Sequence, residues 1–128
     1  MRQVREKAER TLVFVYNADS GIWNALSDLV HKTVSPSTYP CDLCAMTYGL
    51  GGVRRRWSRF IRELDYEVEF TYRDLVGAKH PRLSTVPLPC VYLVEGEQVS
   101  ELVSAQEFGG MQTLEELIGK LSRKLELF

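Results

Sequence analysis

Continuous apolar runs and alternating patterns predict the strands of this chain. Leu12–Tyr16 is an unbroken run of aliphatic and aromatic residues, which is typical of a strand that is buried on both faces. Val91–Val94 is a second run of the same kind. Between them, residues 66–72 alternate apolar side chains with acidic or hydroxyl-bearing ones. We predict a half-exposed strand there, at an edge of the sheet, where charges discourage further pairing.

Helical spacing of apolar residues predicts the helices between and after these strands. A first helix follows the first strand and ends before Pro36, and a second covers residues 53–64. A short helix is expected at residues 73–79. The last helix begins after Thr113, because Thr113 and Glu116 have the spacing of a capping box.

The resulting element order, β-α-insert-α-β-α-β-β-α, predicts an α/β fold with a four-stranded mixed sheet flanked by helices. Early strand–helix–strand units give parallel strands through right-handed crossovers, and a hairpin at residues 95–97 adds an antiparallel strand over 98–103. We expect one domain over residues 1–128, since no repeat or composition shift divides it. Residues 1–10 form a charged extension and residues 36–52 an insert.

Composition narrows the class of protein without assigning an activity. The chain has 16 Lys and Arg against 17 Asp and Glu, a net charge of −1, which is unlike a dedicated nucleic-acid-binding domain. Its three cysteines are too few for a secreted disulfide framework or a four-cysteine zinc site. The charged first ten residues lack the apolar stretch of a signal peptide. We therefore expect a cytoplasmic protein that does not use a membrane as a partner.

Cys41 and Cys44 form a C-x-x-C motif within the insert. In a reducing compartment this spacing indicates thiol–disulfide chemistry or half of a zinc site. If zinc is the cofactor, His31 is a candidate further ligand, and His80 is a less constrained one. Two buried thiols without chemistry are the remaining alternative.

Polar residues after the first strand are candidates for ligand binding. Asn17, Asp19 and Ser20 could hold an anion at the start of the next helix, although capping of that helix explains the same residues. Tyr48 and Trp57 could line a pocket for a small molecule, with packing in the core as the alternative.

Arginines recur from Arg54 to Arg62, on the side of the second predicted helix that is opposite its apolar stripe. A surface for phosphate or nucleic acid is one interpretation. We expect a solvated face instead, because the net charge is near zero and four acidic residues follow between positions 63 and 69. On this basis nucleic acid is not an expected partner.

The chain from Leu12 onward resembles the thioredoxin-like fold. The resemblance rests on the element order and on Val86–Pro89, which leads into a buried strand, a hairpin and a capped last helix. In thioredoxin-like proteins a cis-proline precedes that strand and flanks the active site, and the resemblance matches Pro89 to it.

The resemblance also implies roles for the cysteines. Cys41 would be the nucleophile, Cys44 the resolving thiol and Cys90 a third partner, acting on a protein thiol or a small-molecule thiol without a cofactor. One departure is clear. Redox-active thioredoxins begin a helix with C-x-x-C directly after a central strand, whereas here Cys41 follows Tyr16 by 25 residues.

Two segments, Tyr16–Gly21 (YNADSG) and Ser35–Gly49 (SPSTYPCDLCAMTYG), also resemble a family of small bacterial proteins. This second resemblance assigns no activity. The chain has no G-x-x-x-x-G-K-[ST] loop, so nothing in the sequence supports GTP hydrolysis through a phosphate-binding loop.

Chain geometry predicts where the cysteines meet the sheet. A helix over residues 21–34 would descend about 21 Å from the edge at which the first strand ends, which we call the upper edge. The second helix must end at the lower edge to enter the parallel edge strand. The insert therefore climbs, and the six steps from residue 35 to Cys41 could span about 20 Å. We expect Cys41 and Cys44 beside Asn17–Gly21 and the Pro89–Cys90 pair.

Overall fold

The computed structural model describes residues 10–19, 42–49 and 52–126. The predicted first helix, Ser20, His31 and Cys41 lie outside these residues. The strands are β1 (Arg10–Tyr16), β2 (Tyr48–Gly49), β3 (Gly52–Val53), β4 (Glu67–Tyr72), β5 (Cys90–Glu95) and β6 (Gln98–Val103). The helices are α1 (Asp42–Thr47), α2 (Arg55–Glu63), α3 (Val76–Lys79), α4 (Ala105–Gly109) and α5 (Leu114–Lys124), with a 3₁₀ turn at Pro81–Leu83.

Four strands form a mixed sheet in the order β4–β1–β5–β6. Strand β1 is parallel to β4, with Phe14 opposite Phe70, and antiparallel to β5, with Val15 opposite Cys90. Strands β5 and β6 form an antiparallel hairpin whose turn places Gly96 at a φ of +62°, which a residue without a Cβ adopts freely. The four-stranded mixed sheet and the edge position of β4 are as predicted.

The sheet separates two apolar clusters because side chains alternate along each strand. Leu12, Phe14 and Tyr16 belong to the cluster on one face, which we call face A, whereas Val13 and Val15 belong to the cluster on face B. Helices α1, α2, α4 and α5 pack on face A, while α3 and the 3₁₀ turn pack on face B. Helices therefore lie on both faces, as predicted.

Aromatic rings fill the centre of face A. Phe14 is fully buried, and its ring contacts Trp57 edge to face, at a centroid distance of 5.4 Å, and stacks on Phe70 at 5.1 Å. Trp57 in turn stacks on Phe60. Only 2% of the surface of Trp57 is exposed, so packing in the core, and not a ligand pocket, explains this residue.

Helix caps differ from the predicted ones. Helix α4 is absent from the prediction, yet it has a complete capping box: the Ser104 hydroxyl accepts from the Glu107 N–H (3.1 Å), and Glu107 Oε1 accepts from the Ser104 N–H (2.9 Å). At α5, Thr113 does accept from the Glu116 N–H (3.2 Å). Glu116 Oε1 accepts from the Gln112 N–H and from the Thr113 hydroxyl (both 3.2 Å) but not from the Thr113 N–H, so the predicted box there is only half formed.

Glu107 also joins α4 to α5. Its Oε2 accepts hydrogen bonds from Lys120 (2.9 Å) and Lys124 (3.3 Å). The backbone hydrogen bond from Ser104, and next the bond from Lys120, lower the pKa of Glu107 from 4.5 to about 2. A carboxyl group whose pKa is lowered by folding stabilises the fold above its unfolded pKa, and this contribution is lost as the pH falls through the folded value.

We expect Glu107→Gln to lower the free energy of unfolding by about 1 kcal/mol at pH 7, because a capping bond and two ion pairs are weakened. The difference should shrink between pH 4.5 and about 2, where the native carboxyl group becomes protonated. Urea unfolding at pH 7, 4 and 2.5 measures it. Glu67→Gln, at an exposed position with no ion pair among the described residues, is the control. A loss that is equal at pH 7 and pH 2.5 would contradict the assignment.

Candidate functional site

Strand directions bring three of the predicted site residues to the upper edge of the sheet. Strand β1 ends there, and β5, which is antiparallel to it, begins there, since Cys90 pairs with Val15. Asn17 and Asp19 follow β1 and Pro89 precedes β5, so all three lie at this edge. Asn17 is half-buried, Asp19 is exposed and Pro89 is buried.

Helix α1, which includes Cys44, lies close to the same edge. Strand β6 is antiparallel to β5, so it ends at the upper edge, where α4 begins two residues later, and α1 contacts α4. The backbone N–H of Arg54, just before α2, donates to the carbonyl of Thr47 at the end of α1 (2.8 Å). The backbone of Cys44 is therefore near the upper edge, whereas Cys41 is outside the described residues.

Buried side chains fix α1 on face A. Leu43 is fully buried and Met46 is 6% exposed, and both belong to the cluster around Phe14. The buried hydroxyl of Thr47 donates to the Leu43 carbonyl (2.8 Å), so it has a hydrogen-bond partner inside the helix. Strands β2 and β3 then return the chain to α2, and they pair Tyr48 with Val53.

Asp19 has a charged partner that the sequence does not indicate. Arg73 Nε donates to Asp19 Oδ1 (2.8 Å), and the Arg73 N–H donates to the carbonyl of Ala18 (3.1 Å). The hydrogen bond from Arg73 lowers the pKa of Asp19. Both side chains are exposed, so the pair adds little stability, but it fixes the chain after β1 relative to the end of β4.

Pro89 and Cys90 begin β5 inside the protein. The Leu88–Pro89 peptide bond is cis, the state that the thioredoxin-like resemblance implies. Cys90 has a free, fully buried thiol on face B. Burial and then the nearby carboxylate of Glu101 raise the pKa of Cys90 to about 12. Its cluster contains Val13, Val15, Val76 and Leu83.

The sheet lies between Cys90 and α1. Leu43 and Met46 pack α1 onto face A, whereas the Cys90 side chain belongs to face B. An apolar setting and a raised pKa are typical of a small core residue and not of a reactive thiol. The position of Cys90 therefore gives no support to its role as a third partner of Cys41 and Cys44 and is typical of a core residue.

Among the described residues, no three His, Cys, Asp or Glu side chains lie close enough together to hold a zinc ion. His80, the less constrained candidate, has Nε2 3.1 Å from Glu69 Oε2. Lys79 Nζ lies 3.2 Å from the other oxygen of the same carboxylate. These contacts join the end of α3 and the residue before the 3₁₀ turn to β4 on face B, away from α1.

Among the described residues, no helix combines the length and the apolar character that crossing a bilayer requires. In comparisons with known proteins, no family model matches the chain, and neither a curated protein nor a solved structure matches it.

Proposed function

We propose that the chain is a thioredoxin-like protein whose C-x-x-C motif exchanges thiols and disulfides. The position of α1 supports this most directly. The helix begins immediately after Cys41 and includes Cys44, and it lies near the sheet edge that also has Asn17, Asp19 and Pro89. The resemblance implies an active site at this edge.

The reaction needs only the two thiols of the motif and a substrate disulfide. The Cys41 thiolate attacks one substrate sulfur, which forms a mixed disulfide and releases the other substrate sulfur as a thiolate. The Cys44 thiolate then attacks Cys41 Sγ, which closes the Cys41–Cys44 disulfide and releases the second substrate thiolate. Two electrons pass from the protein to the substrate, and an external protein thiol or small-molecule thiol restores the reduced motif.

Positive charge near the motif favours the thiolate form that such a reaction needs. Arg54, Arg55 and Arg56 lie at the start of α2, and the Arg54 N–H is bonded to the last residue of α1. The helix dipole of α2 has its positive end at the same place. These charges lie beside the last residue of α1, on the side of the helix end that follows Cys44.

Reduction of insulin disulfides by dithiothreitol tests the proposal. We expect the protein to accelerate the reaction and Cys41→Ser to return it to the uncatalysed rate. Cys44→Ser should accumulate a mixed disulfide with substrate that mass spectrometry detects, because the resolving thiol is missing. Cys90→Ala is the matched control and should keep the activity, since Cys90 belongs to the core on face B.

Metal analysis separates this proposal from zinc binding. Zinc at one equivalent in protein purified without added metal, and lost in Cys41→Ser, would assign the motif to a metal site and overturn the redox proposal. His31 is then the first candidate for a further ligand. An unchanged insulin-reduction rate in Cys41→Ser would overturn the redox proposal as well.

A further inference from the structure

Helix α2 presents a row of arginines to solvent. Arg55, Arg59 and Arg62 follow one another at spacings of four and three residues, so they share one side of the helix, and Arg54 precedes them at the N-cap. All four are exposed. The opposite side of α2 is buried through Trp57 and Phe60, which fixes the direction of the arginines. We call these four residues, Arg54, Arg55, Arg59 and Arg62, the arginine face.

The arginine face lacks acidic partners in the part of the chain that the structure describes. None of its four side chains makes an ion pair or a side-chain hydrogen bond there. Arg56, which points elsewhere, does make one: its Nε lies 3.3 Å from Glu115 Oε1. Arg56 is therefore paired, whereas the four residues of the arginine face have no ion pair among the described residues.

The acidic residues that follow α2 do not neutralise these charges. Asp65 lies 3.8 Å from Arg10, at the lower edge of the sheet. Glu69 is shared by His80 and Lys79 on face B. Two of the four acidic residues that support the expectation of a solvated face are therefore bonded elsewhere, and Glu63 and Glu67 form no ion pair among the described residues.

The charge order of α2 is unfavourable for the helix itself. It has no side-chain N-cap and no acidic residue in its first turn, and positive charges at a helix N-terminus oppose the dipole. Like charges one turn apart also repel. Helix α5 of the same chain has the opposite order, with Glu115 and Glu116 in its first turn and Arg123 and Lys124 in its last. Charge arrangements that destabilise their own helix are typical of functional surfaces.

We propose that the arginine face binds the phosphate backbone of a single-stranded nucleic acid. The planar guanidinium group binds phosphate through two parallel hydrogen bonds, which lysine cannot do. From Arg55 to Arg59 the helix rises about 6 Å and from Arg59 to Arg62 about 4.5 Å, so the three guanidinium groups form a row that the phosphates of one extended strand can follow. A strand along α2 can therefore place successive phosphates against Arg55, Arg59 and Arg62. This binding does not depend on the proposed thiol chemistry, although Arg54 and Arg55 also supply positive charge beside α1.

Fluorescence anisotropy with a labelled 15-nucleotide DNA strand tests the proposal. Three phosphate contacts predict a salt dependence of about −0.7 per contact, which is a roughly 20-fold weaker affinity at 200 mM than at 50 mM salt. Combining Arg55→Gln with Arg59→Gln leaves one contact, so the change with salt should fall to about 3-fold. Arg123→Gln, an exposed arginine on α5, should keep the 20-fold dependence.

Two further measurements are the thermal stability of the variants and competition for binding by a second polyanion. Thermal unfolding of the double glutamine variant should not begin at a lower temperature than that of the wild type, because a repulsive pair has been removed. If this variant nevertheless unfolds, Arg55→Lys with Arg59→Lys retains the charge and should retain the salt dependence. Equal competition by a polyglutamate peptide of the same charge, or equal loss of binding in Arg123→Gln, would overturn the proposal.

Discussion

Phe14→Ala should lower the free energy of unfolding by about 3–5 kcal/mol, the largest effect that we expect from a single substitution in the described core. Phe14 lies in the central strand β1, is fully buried and contacts the rings of Trp57 and Phe70. Both neighbouring strands hold the backbone in place, so the structure cannot collapse into the space left by the ring. Urea unfolding followed by Trp fluorescence and circular dichroism measures the loss, against a typical domain stability of about 5–15 kcal/mol.

Phe70→Ala is the matched control for this substitution. Phe70 belongs to the same stack of rings, but it lies in the edge strand and 38% of its surface is exposed. Less apolar surface returns to water and no closed cavity forms, so we expect less than half of the loss found for Phe14→Ala. Equal losses in the two variants would contradict the close packing of the Phe14 ring in the core on face A.

The second large effect concerns the reactivity of Cys90. A pKa of about 12, against an ordinary 9.0, reduces the thiolate fraction at pH 8 about a thousandfold, since each pKa unit is a factor of ten. In a protein that combines Cys41→Ser with Cys44→Ser, we expect the remaining thiol to react with Ellman's reagent at least a thousandfold more slowly in the native state than in guanidinium chloride. Fast reaction of the native protein would restore Cys90 as a third thiol of the site.

The raised pKa of Cys90 also predicts the direction of a pH effect. A thiol that is harder to ionise in the folded state stabilises the fold below its unfolded pKa, and this contribution is lost as the pH rises from 9.0 towards about 12. The wild type should therefore lose about 1.4 kcal/mol per pH unit above pH 9 in urea unfolding, relative to Cys90→Ala. Parallel curves for the two proteins between pH 8 and pH 10.5 would contradict this assignment.

Local patterns were sufficient to predict the four-stranded sheet and helices α2 and α5. Leu12–Tyr16 and Val91–Val94 are apolar on both sides because β1 and β5 are the two central strands and both faces are covered. The apolar side of α2 is as clear, since Trp57 and Phe60 face the core. Helix α4 escaped prediction because Phe108 alone of its five residues is buried, which is too little for a periodic pattern.

Long-range pairing explains what the sequence could not predict. Asp19 and Arg73 are 54 residues apart, so no local pattern joins them. An irregularity in the register between β5 and β6 places the adjacent residues Leu102 and Val103 in the same cluster, against the alternation of a regular strand. The partners of Asp65 and Glu69 are likewise decided by the tertiary structure.

The central position of β1 has a consequence for synthesis of the chain on the ribosome. Val13 pairs with Glu69 on one side and Tyr92 on the other, so both partners are translated much later than β1 itself. At about 5–20 residues per second, the nascent strand waits roughly 4–16 s for Tyr92. Until β4 has been translated as well, an apolar, proline-free segment has no strand partner within the domain, which makes it prone to aggregation. Arg10 and Asp19 flank it as charged gatekeepers, so their contribution to solubility is greatest before the domain exists.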